Sequence, residues 1–508
     1  MRPRSALPSA AASRDADPAI PFDNTYCRLP ERFYARLPPT PVAEPALIAF
    51  NEGLCRSLGI DPDALDERGW AEVFSGNRLP RGADPIAQAY AGHQFGVFVP
   101  SLGDGRAILL GEVAGADGQR RDLQLKGSGR TPFSRLGDGR APLGPVLREF
   151  LVSEAMAALG VPTTRSLAAV ATGEAVYRDR PLPGGVLARV AASHLRVGTF
   201  QYFAVRNDVE AVRILADYAI ARHDPDLDQP PAPARYRVFL ERVCLRQADL
   251  VAAWLSVGFV HGVMNTDNCA ISGETIDFGP CAFLDAYDPG AVFSSIDHGG
   301  RYAYANQPQI AAWNLARLAE CLLPLLAESR QAAIEIAQDV LAAFGERFRL
   351  VYQQRMARKI GLAQPREGDA ELAADLLARM AENGADFTLT FRRLADAAVD
   401  SRADATLRPL FADPSAFDPW AERWRRRIAT EGPAEEVAAR LKRTNPAVVP
   451  RNHLVEEALA AAVEGGELGP FARLHAALAA PFADRAPNDR FALPPAPHER
   501  VTVTFCGT

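Results

Sequence analysis

The sequence predicts an α+β protein of two lobes, with a mixed α/β first lobe, a mainly helical second lobe and a C-terminal extension. Three observations carry this expectation. Short runs of β character, such as Ala107–Val113 and Asp122–Lys126, sit between glycine turns in the first half. Apolar residues recur at helical spacing through long stretches of the second half, over Ile310–Ala327 and Gln331–Leu350. The length, 508 residues, exceeds what one simple core serves. A mixed half followed by a helical half suits an enzyme with a cleft between lobes.

Taken in chain order, residues 1–20 are rich in Ala, Ser, Pro and Arg and read as a flexible N-terminus rather than a targeting sequence, because no apolar run follows the basic start. Residues 21–204 form the expected first lobe, with one clear helix from about Pro145 to Leu159. A Pro/Asp-rich loop over Asp224–Ala234 leads to a long amphipathic helix from about Arg235 to Val257. In that helix Phe239, Val243, Leu250, Val251 and Trp254 share a face. His261–Asp285 reads as a loop, a strand, a tight turn at Ser272–Glu274 and a second strand. The second lobe spans 205–450, and 451–508 is an extension whose tail holds a β-type run, Val501–Phe505, before Cys506.

Composition narrows the function classes. Hydrophobic residues make up 48% of the chain and charged residues 23%, as in ordinary globular proteins. A net charge of −6 argues against a nucleic-acid binder that relies on a bulk basic surface. No run approaches the roughly 20 apolar residues that span a bilayer. The seven cysteines are scattered and form no CxxC pair, so the chain is expected in a reducing compartment, the cytoplasm, with neither a disulfide framework nor a zinc site.

The residues that carry chemistry begin at SLGDGR, residues 101–106. Gly103 and Gly105 let a backbone approach a ligand, successive amides can cradle phosphate, and Arg106 adds charge. Alone, such a loop is more often a hairpin turn. In Leu123-Gln124-Leu125-Lys126, alternation places Gln124 and Lys126 on one strand face and the leucines on the other. A lysine late in a strand after a glycine loop can pair with nucleotide phosphates. The polar loop over 127–140 adds Arg130, Arg135 and Arg140 as anion contacts and a turn at Asp138–Gly139.

In the following helix, Leu147, Phe150, Leu151, Ala155 and Ala158 define one face. Glu154 falls within that stripe and Glu149 roughly opposite. A buried carboxylate needs a partner, and Lys126 is the candidate. Periodicity favours Glu154, with Glu149 left open. Arg189 and Arg196 flank VAASHL and are either cleft or surface charges.

The strongest local signal is HGVMNTDN, residues 261–268, followed by Asp277-Phe278-Gly279. Kinase catalytic loops run His-x-Asp-x-x-x-x-Asn before Asp-Phe-Gly, and the Asn and second Asp offer oxygen ligands to Mg²⁺. His261, Asn268 and Asp277 match that order. Val263 breaks it, standing where the catalytic Asp belongs. Either the protein is an inactive kinase relative, or Asp267 has taken the base role.

This set resembles the selenoprotein O family, kinase-like proteins, on YAGHQFGVFVPSLGDGRA, LQLKGSGRTPFSRLGDGRA, LREFLVSEAMAALGVPTTRSLA, HGVMNTDNCAISGETIDFGP and the later Asn445–Asn452 stretch. The resemblance implies a bilobal protein-kinase-like fold that binds ATP in inverted orientation. The implied reaction transfers AMP to Ser, Thr or Tyr hydroxyls of proteins; UMP transfer with manganese is a variant. It implies Gly103, Gly105, Arg106, Lys126, Asp138, Gly139, Arg189, Arg196 and Asp277 as nucleotide-binding positions, Asp267 as general base, and Asn268 and Asp277 as ligands of Mg²⁺ or Mn²⁺. It also implies a monomer whose partners are protein substrates, not nucleic acid or membrane. Cys506 occupies the family's selenocysteine place, and a bridge to Cys281 is implied for some members. The competing expectations are an ordinary phosphotransferase and a non-catalytic nucleotide-binding scaffold.

Overall fold

The computed structural model describes residues 17–228, 233–363 and 365–505. The expectations for the extreme N-terminus and for Cys506 therefore lie outside the described residues, as does part of the Pro/Asp-rich loop.

The first part of the chain supplies strands β1 (Tyr34–Arg36), β2 (Ala46–Phe50), β3 (Ile86–Gln88), β4 (Gly92–Gln94), β5 (Val97–Val99), β6 (Ala107–Ala114), β7 (Arg120–Lys126), β8 (Ala141–Pro142), β9 (Arg165–Tyr177) and β10 (Pro181–Ala191). Eight of them form one antiparallel sheet in the order β1-β3-β6-β7-β10-β9-β2, with β8 beside β10. The β4–β5 hairpin stands apart. Its turn residues, Phe95 and Gly96, have φ of 52° and 85°, the left-handed pair that a two-residue hairpin turn demands.

Alternation along the strands covers the two sheet faces differently. Leu123, Leu125, Val186 and Ala188 pack against Trp70 and Phe74 of α2 (Glu67–Ser75), which follows the short α1 (Glu52–Ser57). The opposite face, with Ala169 and Leu187, packs against Phe150 and Leu151 of α3 (Leu143–Ala158). The expected strands and the helices over 145–159, 235–257 and 310–327 match within a few residues, as frayed ends allow, whereas the helix expected over Gln331–Leu350 continues to Lys359.

The helical part opens with α4 (Val197–Ala204), α5 (Val209–His223) and α6 (Ala234–Val257). The α6 residues expected to share a face are all buried. They meet Leu315, Leu318 and Leu322 of α7 (Gln307–Leu326) and Val340 and Phe344 of α8 (Arg330–Lys359). A second helical core gathers α9 (Asp369–Asn383), α10 (Phe387–Val399), α11 (Asp404–Leu407), α12 (Asp418–Ile428) and α13 (Ala434–Thr444) around Trp420 and Trp424. The last helices, α14 (Asn452–Gly465) and α15 (Gly469–Leu478), return to the first part and pack on α3 through Leu454, Val455, Phe471 and Leu474. No helix among the described residues is long and apolar enough to cross a membrane.

Two sequence expectations fail locally. The run Val501–Phe505 makes no strand; only Thr504 bridges, pairing with Ser294. The loop between His261 and Asp285 does not fold into two mutually paired strands either. The one strand within it, β12 (Ala282–Phe283), pairs instead with β11 (Phe259–Val260), which precedes the stretch. Inside it, backbone groups bond to neighbouring segments instead: Val197 N to Cys269 O at 2.9 Å, Ile271 N to Leu195 O at 2.9 Å and Thr275 N to Pro162 O at 3.0 Å. Long-range acceptors thus satisfy the groups that a local hairpin would have used.

The Asn445–Asn452 stretch acts as a latch. Asn445 bonds to Lys359 through both its side-chain oxygen and nitrogen. Arg451 is buried and bridges Asp285 at 2.7 Å and Asp386 at 2.6 Å. Asn452 bonds both backbone groups of Phe283 in β12.

Candidate active site

The sheet register assembles the centre. In β10, Arg189 pairs with Gln124 of β7, and Leu187 with Lys126. Directly paired residues share a face, so Arg189 lies diagonal to Lys126 on the face that α3 covers. Lys126 Nζ donates to Glu149 Oε2 at 2.6 Å and to Asp277 Oδ1 at 3.0 Å. Arg189 bridges the same carboxylates, with Nε to Glu149 Oε1 at 2.7 Å and Nη2 to Asp277 Oδ1 at 2.7 Å. Arg196, just before α4, donates to Asp277 Oδ2 at 3.0 Å and to the Asp267 carbonyl at 2.8 Å, with its guanidinium 4.6 Å from the Tyr90 ring centroid. Three cations therefore face two carboxylates.

That excess sets the protonation states. Burial pushes the Glu149 carboxyl up, but the charges of Arg189 and Lys126 outweigh it and hold it below its ordinary value. Burial opposes ionisation at Asp277 too, and Arg189, Lys126 and Arg196 together hold it well below the usual carboxylate range. Asp277 adopts φ of 64°, unusual for a residue with a side chain.

Glu149, not Glu154, is the partner of Lys126. Glu154 binds Arg165 at 2.6 Å, Asn51 Nδ2 at 2.7 Å and the Ser166 amide at 2.9 Å. The periodicity argument favoured the wrong carboxylate because α3 is covered on more than one side. The sheet takes one side and α14 with α15 another, so an apolar stripe does not single out the face that meets Lys126.

The loop over 261–268 is equally tied into the fold. His261 is buried, and its Nε2 meets the Ile276 carbonyl at 2.9 Å, tying the loop to the residue before Asp277. Asn268 donates Nδ2 to the Val263 carbonyl at 3.0 Å, so Oδ1 is the atom it could offer a cation. Asp267 is 7% exposed, and burial, opposed by Arg196, pushes its carboxyl up to about 6. Its Oδ1 has no hydrogen-bond partner, while Oδ2 accepts a long bond from Gln94 Nε2 at 3.4 Å. A carboxylate with a buried, unpartnered oxygen and a raised pKa has the properties of a general base. Val263 offers the site no side-chain acceptor.

The glycine loops behave differently from expectation. Gly103 has φ of 65°, and a side chain there would collide with Phe133; at Gly105 it would meet the Phe133 carbonyl. The two loops thus pack on each other, joined by Thr131 Oγ1 donating to the Asp104 carbonyl at 2.7 Å. The amides of Gly103, Asp104 and Gly105 donate to the carbonyls of Tyr90, Gln88 and Gly103. They are committed to the fold and form no phosphate cradle in this conformation. Asp138 is paired with Arg178 at 2.8 Å, Gly139 has φ of 71° against the Gly129 backbone, and Arg140 holds the carbonyls of Thr40 and Pro41. Arg106 is half-buried at the start of β6. Neither Asp138 nor Arg140 bonds to the Lys126–Asp277 cluster.

Three residues given no role by sequence reasoning border the site. Tyr90 lies under Arg196, Gln94 touches Asp267, and Asp104 is buried with Oδ1 unpartnered. Their only signal was their place in the glycine- and aromatic-rich text before β6. Among the described residues, no group of three or more His, Cys, Asp and Glu side chains gathers as a metal cage. Asn268 Oδ1 and the Asp277 carboxylate are oxygen donors of the kind a hard cation takes, and in this structure Asp277 accepts from Lys126, Arg189 and Arg196.

A buried lysine–glutamate pair, an adjoining Asp-Phe-Gly aspartate and two further arginines thus gather in one charged cluster. The family model described as protein adenylyltransferase SelO matches residues 19–479. The chain is 62% identical over 492 residues to a protein nucleotidyltransferase YdiU of Rhodopseudomonas palustris (strain BisB5), covering 96% of this chain and 99% of the relative. It is 60% identical over 490 residues to the protein of the same name from Bradyrhizobium diazoefficiens, with the same coverage of 96% and 99%. The Nitrobacter winogradskyi relative, also named protein nucleotidyltransferase YdiU, is 59% identical over 501 residues, covering 98% of this chain and 99% of its own. The chain belongs to the protein adenylyltransferase SelO family and is an enzyme of the nucleotidyltransferase class.

Proposed function

We propose that this enzyme transfers AMP from ATP to Ser, Thr or Tyr hydroxyls of proteins, within a protein-kinase-like fold whose lobes are 21–204 and 205–450. The observation that carries the reading is the convergence of Lys126, Arg189 and Arg196 on Asp277, while Val263 fills the kinase base position and Asp267 keeps an unpartnered oxygen. Attack on the α-phosphorus expels pyrophosphate, whose charge three buried cations can offset. In this reading the β- and γ-phosphates face that cluster and the α-phosphorus faces Asp267.

The acceptor hydroxyl passes its proton to Asp267 Oδ1 as its oxygen bonds to the α-phosphorus. The bridging bond to the β-phosphate breaks, and pyrophosphate leaves with the electron pair. Asn268 and Asp277 would hold Mg²⁺ or Mn²⁺, which supplies charge neutralisation at the phosphates. In this reading Gly103 and Gly105 let the loop before β6 pack on the 127–140 loop at the nucleotide's edge, Arg106 adds charge, and Asp138 and Gly139 shape the adjoining loop.

ATP labelled at the α or γ position separates this reaction from phosphoryl transfer. Protein-bound label from α-labelled ATP, with pyrophosphate release, is expected. Label only from the γ position overturns the reading. The same assay with UTP and manganese measures UMP transfer.

A further inference from the structure

We propose that the β4–β5 hairpin and Arg301 form the edge on which the acceptor polypeptide docks, selecting a segment with an acidic side chain two or three residues from the acceptor hydroxyl. This rests on Asp267 being the base.

The hairpin is fastened to the catalytic loop. His93 N donates to Thr266 Oγ1 at 2.7 Å, Phe95 N to Asn265 Oδ1 at 3.0 Å, and Gln94 Nε2 reaches Asp267. At Gly92 a Cβ would lie 2.5 Å from Asp267 Oδ1, so only glycine permits this approach. Phe95 holds a left-handed φ of 52°, a costly conformation for an aromatic residue, and its ring packs 5.1 Å from that of Tyr302. Such strain persists only where surrounding contacts impose it, and here they fix the turn beside Asp267. Beyond the turn, Val97 is 70% exposed.

Arg301 lies against that turn. A Cβ on Gly96 would stand 3.7 Å from the guanidinium carbon, which also lies 4.9 Å from the Trp313 ring centroid. The nearby Asp297 spends its carboxylate on the amides of Arg301 and Tyr302, at 2.9 and 2.7 Å. Arg317, on the same Trp313 ring, pairs with Glu320 at 2.7 Å. Arg301 makes no ion pair among the described residues; its side chain hydrogen-bonds the Tyr302 hydroxyl, and its Nε is buried without a partner. A guanidinium held on an indole and lacking a carboxylate is prepared for bidentate capture of one.

Spacing sets the register. Gly92 abuts Asp267 Oδ1 and Gly96 abuts Arg301, four residues of chain that span at most about 14 Å, and the side chain of the docked acid covers part of that distance. An extended acceptor advances about 3.3 Å per residue, so a carboxylate two or three residues from the hydroxyl reaches Arg301.

The test uses full-length protein and single-serine peptides carrying Glu or Lys at the second and third positions from the serine. Transfer of α- and γ-label is measured beside anisotropy binding of fluorescent peptides to the ATP-saturated enzyme. The wild type should favour the Glu peptide by about tenfold in kcat/KM, mostly through KM. Arg301→Gln should remove the preference and Arg301→Glu should turn it toward Lys, with ATP affinity unchanged as the check on folding. Equal use of the two peptides, no binding of the acidic peptide, or a preference that survives Arg301→Gln overturns the docking edge. Label arriving from the γ position with the acidic preference intact overturns the proposed chemistry and leaves the docking edge standing.

Discussion

At Asp267, burial has left one carboxylate oxygen without a partner beside a valine that cannot act as a base. Asp267→Asn keeps the shape and removes the proton acceptor. Turnover is expected to fall by about 10²–10⁴-fold, with ATP still shifting the thermal midpoint; unchanged turnover removes Asp267 from the role. A second buried titratable residue bears on stability. Lys359 is 3% exposed, bonds to Asn445 Oδ1 at 3.0 Å, and burial brings its ammonium down to about 7. Above that pH the folded protein has released this proton while the unfolded chain retains it up to its ordinary value. The lysine's contribution to stability therefore grows as pH rises from about 7, and is flat below it where both states are protonated. Denaturant titrations between pH 6.5 and 9 should show that slope in the wild type and its loss in Lys359→Met.

Among elements, α3 decides most. Its Glu149 neutralises Lys126 and Arg189 together, both largely buried, whereas its Glu154 holds the half-exposed Arg165. Glu149→Gln removes a shared carboxylate from a buried network and should cost about 3 kcal/mol of unfolding free energy, with weakened ATP binding. Glu154→Gln should cost about 1 kcal/mol and leave ATP binding intact. Equal losses of ATP affinity in the two variants would contradict the assignment of Glu149. The difference was not legible in the sequence because the two carboxylates, five residues apart, point about 140° from each other on a helix whose apolar residues are shared between two covering layers. By contrast, the placement of Lys126 opposite Leu123 and Leu125 was legible, because strand alternation has only two faces to choose between.

Across the whole molecule, the chain closes on itself. Phe471 of α15 lies 6.0 Å from the ring of Phe150, the residue after Glu149, and is 3% exposed. Phe471→Ala should cost about 3–5 kcal/mol and loosen ATP binding through α3, although the mutated residue lies far along the chain from the nucleotide loops. Chemical denaturation and ATP titration on one sample check both effects; full ATP affinity in the destabilised variant would separate the last helices from the site. Arg451 works in the same long-range way, joining the segment after Asp277 to α10 through Asp285 and Asp386.

The sequence by itself determined the kinds of residue and their order: a strand lysine, a helix carboxylate, Val263 in the base position, Asp267 beside Asn268, and Asp277 before Phe278 and Gly279. These follow from local spacing, which the chain carries wherever it folds. The tertiary structure decided which glutamate meets Lys126, that Arg189 and Arg196 belong to the centre, and that the amides of Gly103, Asp104 and Gly105 are already spent. Each depends on strand register or helix rotation, which are set by contacts between residues distant in sequence.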